Sequence, residues 1–209
     1  MIGRLLRDRN GASAAEFAIV LPLLLLFIFG IIDAGRWIWT FNKAEKATQM
    51  GARMAVVVTP ISPGISASYI GVDGLTQGDL IPASEFGKIT CTGAGTGAAI
   101  TASCTCTTTP CPTLGTANAI SFRAIVERMQ KFLPQVSAAN VAVEYTSSGL
   151  GYAGNPNGPD ISPLVTVKIG APATALQFIP ITSLLIASMD MPNFTTTLTA
   201  EDLSGSQSN

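Results

Sequence analysis

The chain has 209 residues, of which 47% are apolar and only 12% are charged, and its formal net charge is −1. About 25% of residues are charged in a typical soluble globular protein, so we expect part of this chain to lie in a membrane. The chain has no excess of basic residues, so its charge does not indicate a nucleic-acid partner. The chain has no histidine, which excludes Ser-His-Asp and Cys-His catalytic sites and removes the commonest zinc ligand. We expect no enzyme, no cofactor, no metal and no small-molecule substrate.

The first predicted element is a long apolar helix. Phe17 to Ile32 contains no charged residue, and with residues 12–15 and the turn beyond Ile32 it reaches the ~20 residues that span a membrane. Arg4, Arg7 and Arg9 precede it, as in a secretory signal peptide. No small-residue cleavage site follows the run, however, and the helical pattern continues past it.

The continuation is amphipathic. One face carries residues at spacings of three and four: Trp37, Phe41, Ala44, Thr48, Gly51, Ala55 and Val58. Pro60 is the first clear stop, so we predict one helix from about Ser13 to Thr59. Its first half would lie in lipid and its second half would pack on a globular domain, with Trp37 and Trp39 in an interfacial aromatic belt.

Two acidic residues flank the apolar run. Glu16 stands at its entrance, where a charge is either a functional group awaiting a partner or a carboxylate at headgroup level near a helix N-terminus. Asp33 stands at its end, three residues before Arg36. These two side chains can pair on the helix surface or mark the membrane boundary.

The string GASAAEF, residues 11–17, resembles the prepilin-peptidase site of type IV and Flp pilins. The longer string GASAAEFAIVLPLLLLFIFGIIDAGR is similar to the N-terminal signature of TadE-like pseudopilins, or minor pilins, of the Tad (tight adherence) pilus system. The resemblance implies cleavage after Gly11, which frees the amine of Ala12. It also implies that Glu16, followed by Phe17, pairs with the N-terminus of a neighbouring subunit during assembly.

The same resemblance implies the partners and the cellular location. The partners would be other pilins or pseudopilins, the pilus assembly platform, prepilin peptidase and inner-membrane lipid. Small residues of the helix, Ala44, Ala47, Gly51, Ala52 and Ala55, would then pack against neighbouring helices. Pro22 lies inside the apolar run and predicts a kink, either harmless or a point of bending on extraction from lipid.

Residues 60–114 are rich in Gly, Thr, Ala, Ser and Pro and predict long irregular structure, with Tyr69–Val72 as one candidate strand. All four cysteines lie here: Cys91, Cys104, Cys106 and Cys111. We predict two disulfides, with Cys91 bonded to Cys104 or Cys106 and Cys111 to the other. Free redox-active thiols and a metal site are the alternatives.

The last part of the chain predicts one further helix and a sheet. Phe122, Ile125, Val126, Met129, Phe132 and Leu133 form an apolar stripe, with Ser121 as N-cap and Pro134 as stop. Alternation predicts strands at Val141–Thr146 and Val165–Ile169, with a last strand at Phe194–Ala200. The apolar segment Leu176–Ile186 is too short to span a membrane. It would be core or a wall against the long helix, or else a subunit or membrane-surface contact.

The fold class expected is α+β and pilin-like: a long transmembrane helix continuing into a periplasmic domain with one helix and a small antiparallel sheet. The predicted divisions are a basic leader at 1–11, a transmembrane and stalk helix at 12–59, a cysteine-bearing loop region at 60–118 and an α+β domain at 119–209. The protein would cross the bacterial inner membrane once, with its N-terminus cytoplasmic and its C-terminal domain periplasmic, or enter an extracellular pilus. The lysine and arginine counts on the two sides are nearly equal, so the orientation rests on the short N-terminal tail and the cysteines.

Two other functions remain open at this stage. One is an uncleaved, signal-anchored periplasmic scaffold of a secretion or pilus machine. The other is an anchored hydrolase using carboxylates, for which no recognisable pair exists among the available residues Asp73, Asp79, Glu85, Glu144, Asp160, Glu201 and Asp202.

Overall fold

The computed structural model describes residues 10–183 and 186–200. The elements in chain order are α1 (Asn10–Ala55), β1 (Lys88–Ala94), β2 (Thr101–Thr108), α2 (Ala119–Gln130), β3 (Val141–Thr146), β4 (Leu164–Ile169), β5 (Gln177–Phe178), β6 (Met189–Asp190) and β7 (Phe194–Thr199). The long apolar helix, the further helix and the antiparallel sheet confirm the α+β class. The domain boundaries drawn from the sequence stay predictions.

The chain forms two compact units. One contains Met1–Thr40 and Gln177–Met189, and we call it the helix-loop unit. The other contains Phe41–Leu176 and Asp190–Asn209, and we call it the sheet unit. The helix α1 begins in the first unit and ends in the second, at Ala55, about one turn before the predicted end.

The sheet unit is built on five antiparallel strands in the order β2-β1-β3-β4-β7. The central strand β3 is buried along most of its length, and its Val143 lies between Cys91 of β1 and Val167 of β4. Strands β3, β4 and β7 confirm the three predicted strands. Burial alternates in β4, where Val165, Val167 and Ile169 are buried while the residues between them are half exposed, whereas the central β3 is buried on both faces.

The second half of α1 packs within the sheet unit through small residues. Ala44, Ala47, Ala52 and Ala55 are fully buried there. A Cβ atom on Gly51 would lie 2.8 Å from the Met129 side chain and 3.2 Å from that of Val167, so the glycine allows α2 and β4 to approach α1 closely. The second half of α1 thus packs on a globular domain, as predicted, and the helix that meets its small residues at Gly51 is α2 of the same chain.

Strands β1 and β2 correct the expectation of irregular structure between residues 60 and 114. They form a hairpin that pairs along its length and adds two strands to the sheet. Their threonine and glycine content hid the apolar alternation on which strand prediction rests. The candidate strand Tyr69–Val72 was also wrong: Gly71 has φ +86° and a turn of 3-10 helix begins at Val72, which an extended strand does not allow.

Two disulfides lie in this hairpin region. Cys91 is bonded to Cys104 across the β1–β2 pair, and Cys106 is bonded to Cys111 just beyond β2. This is one of the two pairings that the spacing favoured. The first bond joins two residues that are directly opposite in the pair, Cys91 being fully buried, so it links the edge strand β2 to β1.

The helix α2 begins three residues earlier than its apolar stripe suggested. Asn118 is the N-cap: its Oδ1 accepts hydrogen bonds from the backbone N–H groups of Ile120 and Ser121, each at 3.1 Å. The assignment of Ser121 as N-cap was wrong, because Ser121 is buried inside the first turn. The stripe is confirmed for Phe122, Ile125, Val126 and Met129, all fully buried. The helix ends at Gln130, so Phe132 and Leu133 lie beyond it and Pro134 is not its stop.

We predict that Asn118→Ala lowers the free energy of unfolding of the sheet unit by about 1 kcal/mol, because two N–H groups lose their acceptor. Denaturant unfolding in detergent, followed by circular dichroism, measures the change. Ser121→Ala is the matched control and leaves the cap in place. A larger loss for the serine variant than for the asparagine variant would contradict the capping role given to Asn118.

Candidate functional site

The first half of α1 presents its apolar side chains outward. From Ala14 to Ile32 every side chain is exposed except Leu21, which is half exposed. Apolar surface exposed to water carries an unfavourable free energy of roughly 25 cal/mol per Å², and a helical surface of this length matches a hydrocarbon core of about 30 Å. The helix is long and apolar enough to cross a membrane, which is consistent with a single-pass membrane protein.

Glu16 lies on this surface, within the first two turns of α1. Its side chain is exposed, as is that of Phe17 beside it. Among the side chains that the structure describes, at residues 14–183 and 186–200, none forms a hydrogen bond or ion pair with its carboxylate. The structure thus presents an acidic group, without a partner among those residues, at the start of an apolar surface.

The predicted processing site lies at the edge of the described chain. Gly11 and Ala12 are in the first turn of α1 by their backbone, and residues 1–9 of the predicted leader at 1–11 lie outside the described residues. Cleavage after Gly11 therefore stays a prediction.

Pro22 lies inside α1, and the helix continues across it. Proline has no N–H group, so the carbonyl one turn before it lacks its usual helical hydrogen bond. The kink predicted there also stays a prediction.

Asp33 organises the other end of the apolar surface. Its Oδ1 accepts hydrogen bonds from the backbone N–H of Ile181 at 2.7 Å and from Nη1 of Arg36 at 3.0 Å. Its Oδ2 accepts from the backbone N–H of Thr182 at 3.0 Å and from the Thr182 hydroxyl at 2.9 Å. Asp33 is only 8% exposed, and four donors satisfy a carboxylate that would otherwise be buried without compensation.

Aromatic contacts reinforce the same attachment. The rings of Trp37 and Phe178 meet edge to face with centroids 5.2 Å apart. The guanidinium carbon of Arg36 lies 5.4 Å from the centre of the Phe178 ring, within cation–π range. The described residues 177–183 and 186–189, which we call the boundary loop, are therefore attached to α1 by polar contacts of Ile181 and Thr182 and by aromatic contacts of Phe178.

Sequence reasoning found half of this arrangement. The Asp33–Arg36 pair is confirmed, and the segment Leu176–Ile186 contributes a wall against the long helix, as expected. The bonds from the loop to Asp33 were missed, because the partners are 148 and 149 residues apart. The available signal was an acidic residue at the end of an apolar helix, which calls for a partner.

Three of the carboxylates considered for hydrolysis, Glu144, Asp160 and Asp79, have structural partners. Glu144 accepts a hydrogen bond from Nζ of Lys168 at 2.7 Å and lies 3.3 Å from Nζ of Lys88. Burial by itself raises the pKa of Glu144, but the hydrogen bonds and charges of the two lysines outweigh it and hold this pKa below its usual value.

Asp160 joins two loops of the sheet unit. Its carboxylate accepts from the backbone N–H groups of Tyr69, Gly154 and Asn155 and from the Ser68 hydroxyl. Burial raises its pKa, and these hydrogen bonds more than reverse the effect, so the pKa of Asp160 is lowered.

Asp79 accepts hydrogen bonds from the backbone N–H and hydroxyl of Thr76, and these bonds lower its pKa. Glu201 and Asp202 lie outside the described residues.

Comparison with known proteins gives one family. Residues 11–53 match the model of the TadE-like protein family, which confirms the resemblance drawn from the N-terminal motif and suggests a protein associated with the Tad pilus. No curated protein and no solved structure matches the chain. The matched segment contains Glu16, Pro22 and Asp33 and ends just before the end of α1.

We predict that Asp33→Ala releases the boundary loop, because the backbone N–H groups of Ile181 and Thr182 lose their acceptor. Amide hydrogen exchange of these two residues should accelerate on the order of tenfold or more. Asp79→Ala is the control: it removes a carboxylate that also caps backbone N–H but lies in the sheet unit. Unchanged exchange at Ile181 and Thr182 in Asp33→Ala would show that the loop is held by other contacts.

Proposed function

We propose, with the TadE-like N-terminal helix as premise, that this protein is a minor pilin or pseudopilin in the assembly of a Tad/Flp-type adhesive pilus. The observation that carries the proposal is the exposed Glu16 carboxylate at the start of an exposed apolar helix. In this role the protein works by assembly and not by catalysis. Its partners are other pilins or pseudopilins and the pilus assembly platform.

The role of Glu16 follows from electrostatics. A carboxylate that enters a low-dielectric environment without a partner carries a large free-energy penalty. A positively charged amine brought beside it by a neighbouring subunit removes most of that penalty. Assembly in the correct register is then favoured over other packings, because only that register brings the two charges together.

The amine would come from processing. Cleavage after Gly11 by a prepilin peptidase removes the leader with Arg4, Arg7 and Arg9 and leaves a free amine on Ala12. In a helix, Ala12 and Glu16 are one turn apart on the same face. A subunit shifted along the fibre could therefore present its Ala12 amine to the Glu16 of the next.

The disulfides support a periplasmic location for the sheet unit. Disulfides persist in oxidising compartments and are rare in the cytoplasm, and both bonds lie after α1 in the chain. With a single crossing of the bacterial inner membrane, the N-terminus is then cytoplasmic and the C-terminal domain is periplasmic or part of an extracellular pilus.

An uncleaved scaffold of a secretion or pilus machine is the second candidate. The observation that favours it is that α1 begins at Asn10, so Gly11 and Ala12 lie within the helix. An uncleaved chain has no amine at Ala12 and assembles without the Glu16 pair.

The state of the N-terminus separates the two candidates. We expect the mature protein, extracted from membranes of its native host, to begin at Ala12, and Gly11→Val to retain the leader. Intact-mass spectrometry measures both. Gly35→Val is the matched control, because a Cβ at Gly35 has open space around it, and it should be processed normally. A native protein that keeps its leader would support the scaffold instead.

The second expectation concerns Glu16. Both Glu16→Ala and Glu16→Gln should insert in the membrane but reduce surface pili to about a tenth of the wild-type level or less, since neither side chain can pair with an amine as an ion. Shear-released pili, quantified by immunoblot against total membrane protein, give the measurement. Glu45→Gln, an exposed glutamate of the same helix, serves as control. Normal piliation in the Glu16 variants would refute the pairing role.

A further inference from the structure

The boundary loop lies in a long uncharged stretch of the chain. No charged residue occurs between Lys168 and Asp190. The loop nevertheless leaves apolar side chains outside the protein: Ile179 is 63% exposed and Ile181 is 51% exposed. Ile186 and Met189 are also exposed. We call these four side chains the apolar patch. Exposed apolar patches on a protein surface usually mark a contact with a membrane or another protein.

The bonds to Asp33 place this patch at a definite level of α1. Ala14 to Asp33 measures roughly 30 Å along a helix that rises ~1.5 Å per residue, which equals the thickness of a hydrocarbon core. Ile181 and Thr182 donate their N–H groups to Asp33. When α1 spans a bilayer, the loop residues beside Asp33 are therefore at the membrane surface.

The neighbouring residues of α1 are those that favour this level. Trp37 and Trp39 follow the apolar run, and indole rings are enriched where hydrocarbon meets headgroups. Arg36 adds a cation that anionic lipid headgroups attract. Ile38 is exposed on the same part of the helix, so apolar surface continues from the spanning segment onto the boundary loop.

We propose that the boundary loop is a second, interfacial membrane contact, seated among lipid headgroups and upper acyl chains at the Asp33 end of α1. The inference rests on the membrane crossing of α1 and not on pilus assembly. In this position the exposed Ile179 and Ile181 side chains leave water for an apolar environment, which is favourable.

The space between the boundary loop and α1 also suits a lipid. A cleft of about 460 Å³ lies between them, with walls formed by Gly30, Ala34, Trp37, Phe178 and Pro180 among others. Gly30 has no side chain and a Cβ there would meet nothing within 4 Å, so the cleft is open toward the apolar half of α1. A lipid acyl chain that entered from the bilayer would fill this cleft and contact its apolar walls.

Depth-dependent fluorescence quenching tests the proposal on the full chain in vesicles of phosphatidylethanolamine and phosphatidylglycerol. All four native cysteines are in disulfides, so Ile179→Cys adds the one thiol for an environment-sensitive fluorophore. Quenching by lipid with a nitroxide at acyl carbon 5 should exceed, by at least about threefold, that of the same probe at Leu80→Cys. Leu80 is 79% exposed and belongs to the sheet unit.

A third probe at Phe27→Cys separates the ways in which the proposal can fail. Phe27 is 65% exposed on the apolar half of α1, and its probe should be quenched by a nitroxide deep in the bilayer. If Phe27 is quenched and Ile179 is quenched no more than Leu80, the loop is in water and the proposal is overturned. If Phe27 is not quenched, the membrane crossing itself is wrong and the proposal falls with it.

A protein contact gives a different result. A blue-shifted Ile179 probe that lipid nitroxides do not quench, and that returns to the aqueous spectrum when the protein is diluted in lipid, would mean that a second copy covers the loop. That outcome also overturns the proposal. None of these readouts depends on Glu16 or on pilus formation, so they do not test the proposed function.

Discussion

The carboxylate of Asp33 ends the apolar part of α1 and at the same time holds a distant segment of the chain against it. Two backbone N–H groups, one hydroxyl and one guanidinium converge on it. A buried carboxylate needs such donors, and a loop with free N–H groups beside an apolar helix needs an acceptor. The Asp33 carboxylate accepts from the N–H groups of Ile181 and Thr182, so the acid and the loop satisfy each other's hydrogen-bonding groups. This explains how an uncharged loop can lie beside a membrane-type helix.

The helix α1 serves two different environments along its length. Up to Ile32 it exposes large apolar side chains, which suits lipid. From Ala44 onward it buries small side chains against α2 and the sheet, which suits close packing inside a water-soluble domain. The change occurs between Asp33 and Phe41, where charged and aromatic side chains replace the aliphatic ones. The same helix can therefore anchor the chain and form part of the core of the sheet unit.

Several elements were predictable because their signals are local. The stripe of α2 and the alternation in β3 and β4 each lie within a dozen residues, and the structure buries the apolar residues they indicated. The hairpin of β1 and β2 was not predictable in this way, because its residues are small and polar and gain their order from pairing with each other and with β3. The cap of α2 was misplaced for a related reason: both Asn118 and Ser121 can cap, and only the position of the first turn decides between them.

The sequence by itself determined the apolar helix, the isolated acid at its entrance, the clustering of cysteines and the TadE-like motif, since these depend on composition and short-range spacing. Tertiary structure alone decided that β1 and β2 pair as a hairpin of the sheet and that Asp33 accepts hydrogen bonds from the boundary loop as well as from Arg36. The physical reason is that burial and hydrogen bonding join residues far apart in the chain. The periodicity of a sequence indicates which face of an element is apolar, but it does not indicate which other face will cover it or which acceptor a distant N–H group will find.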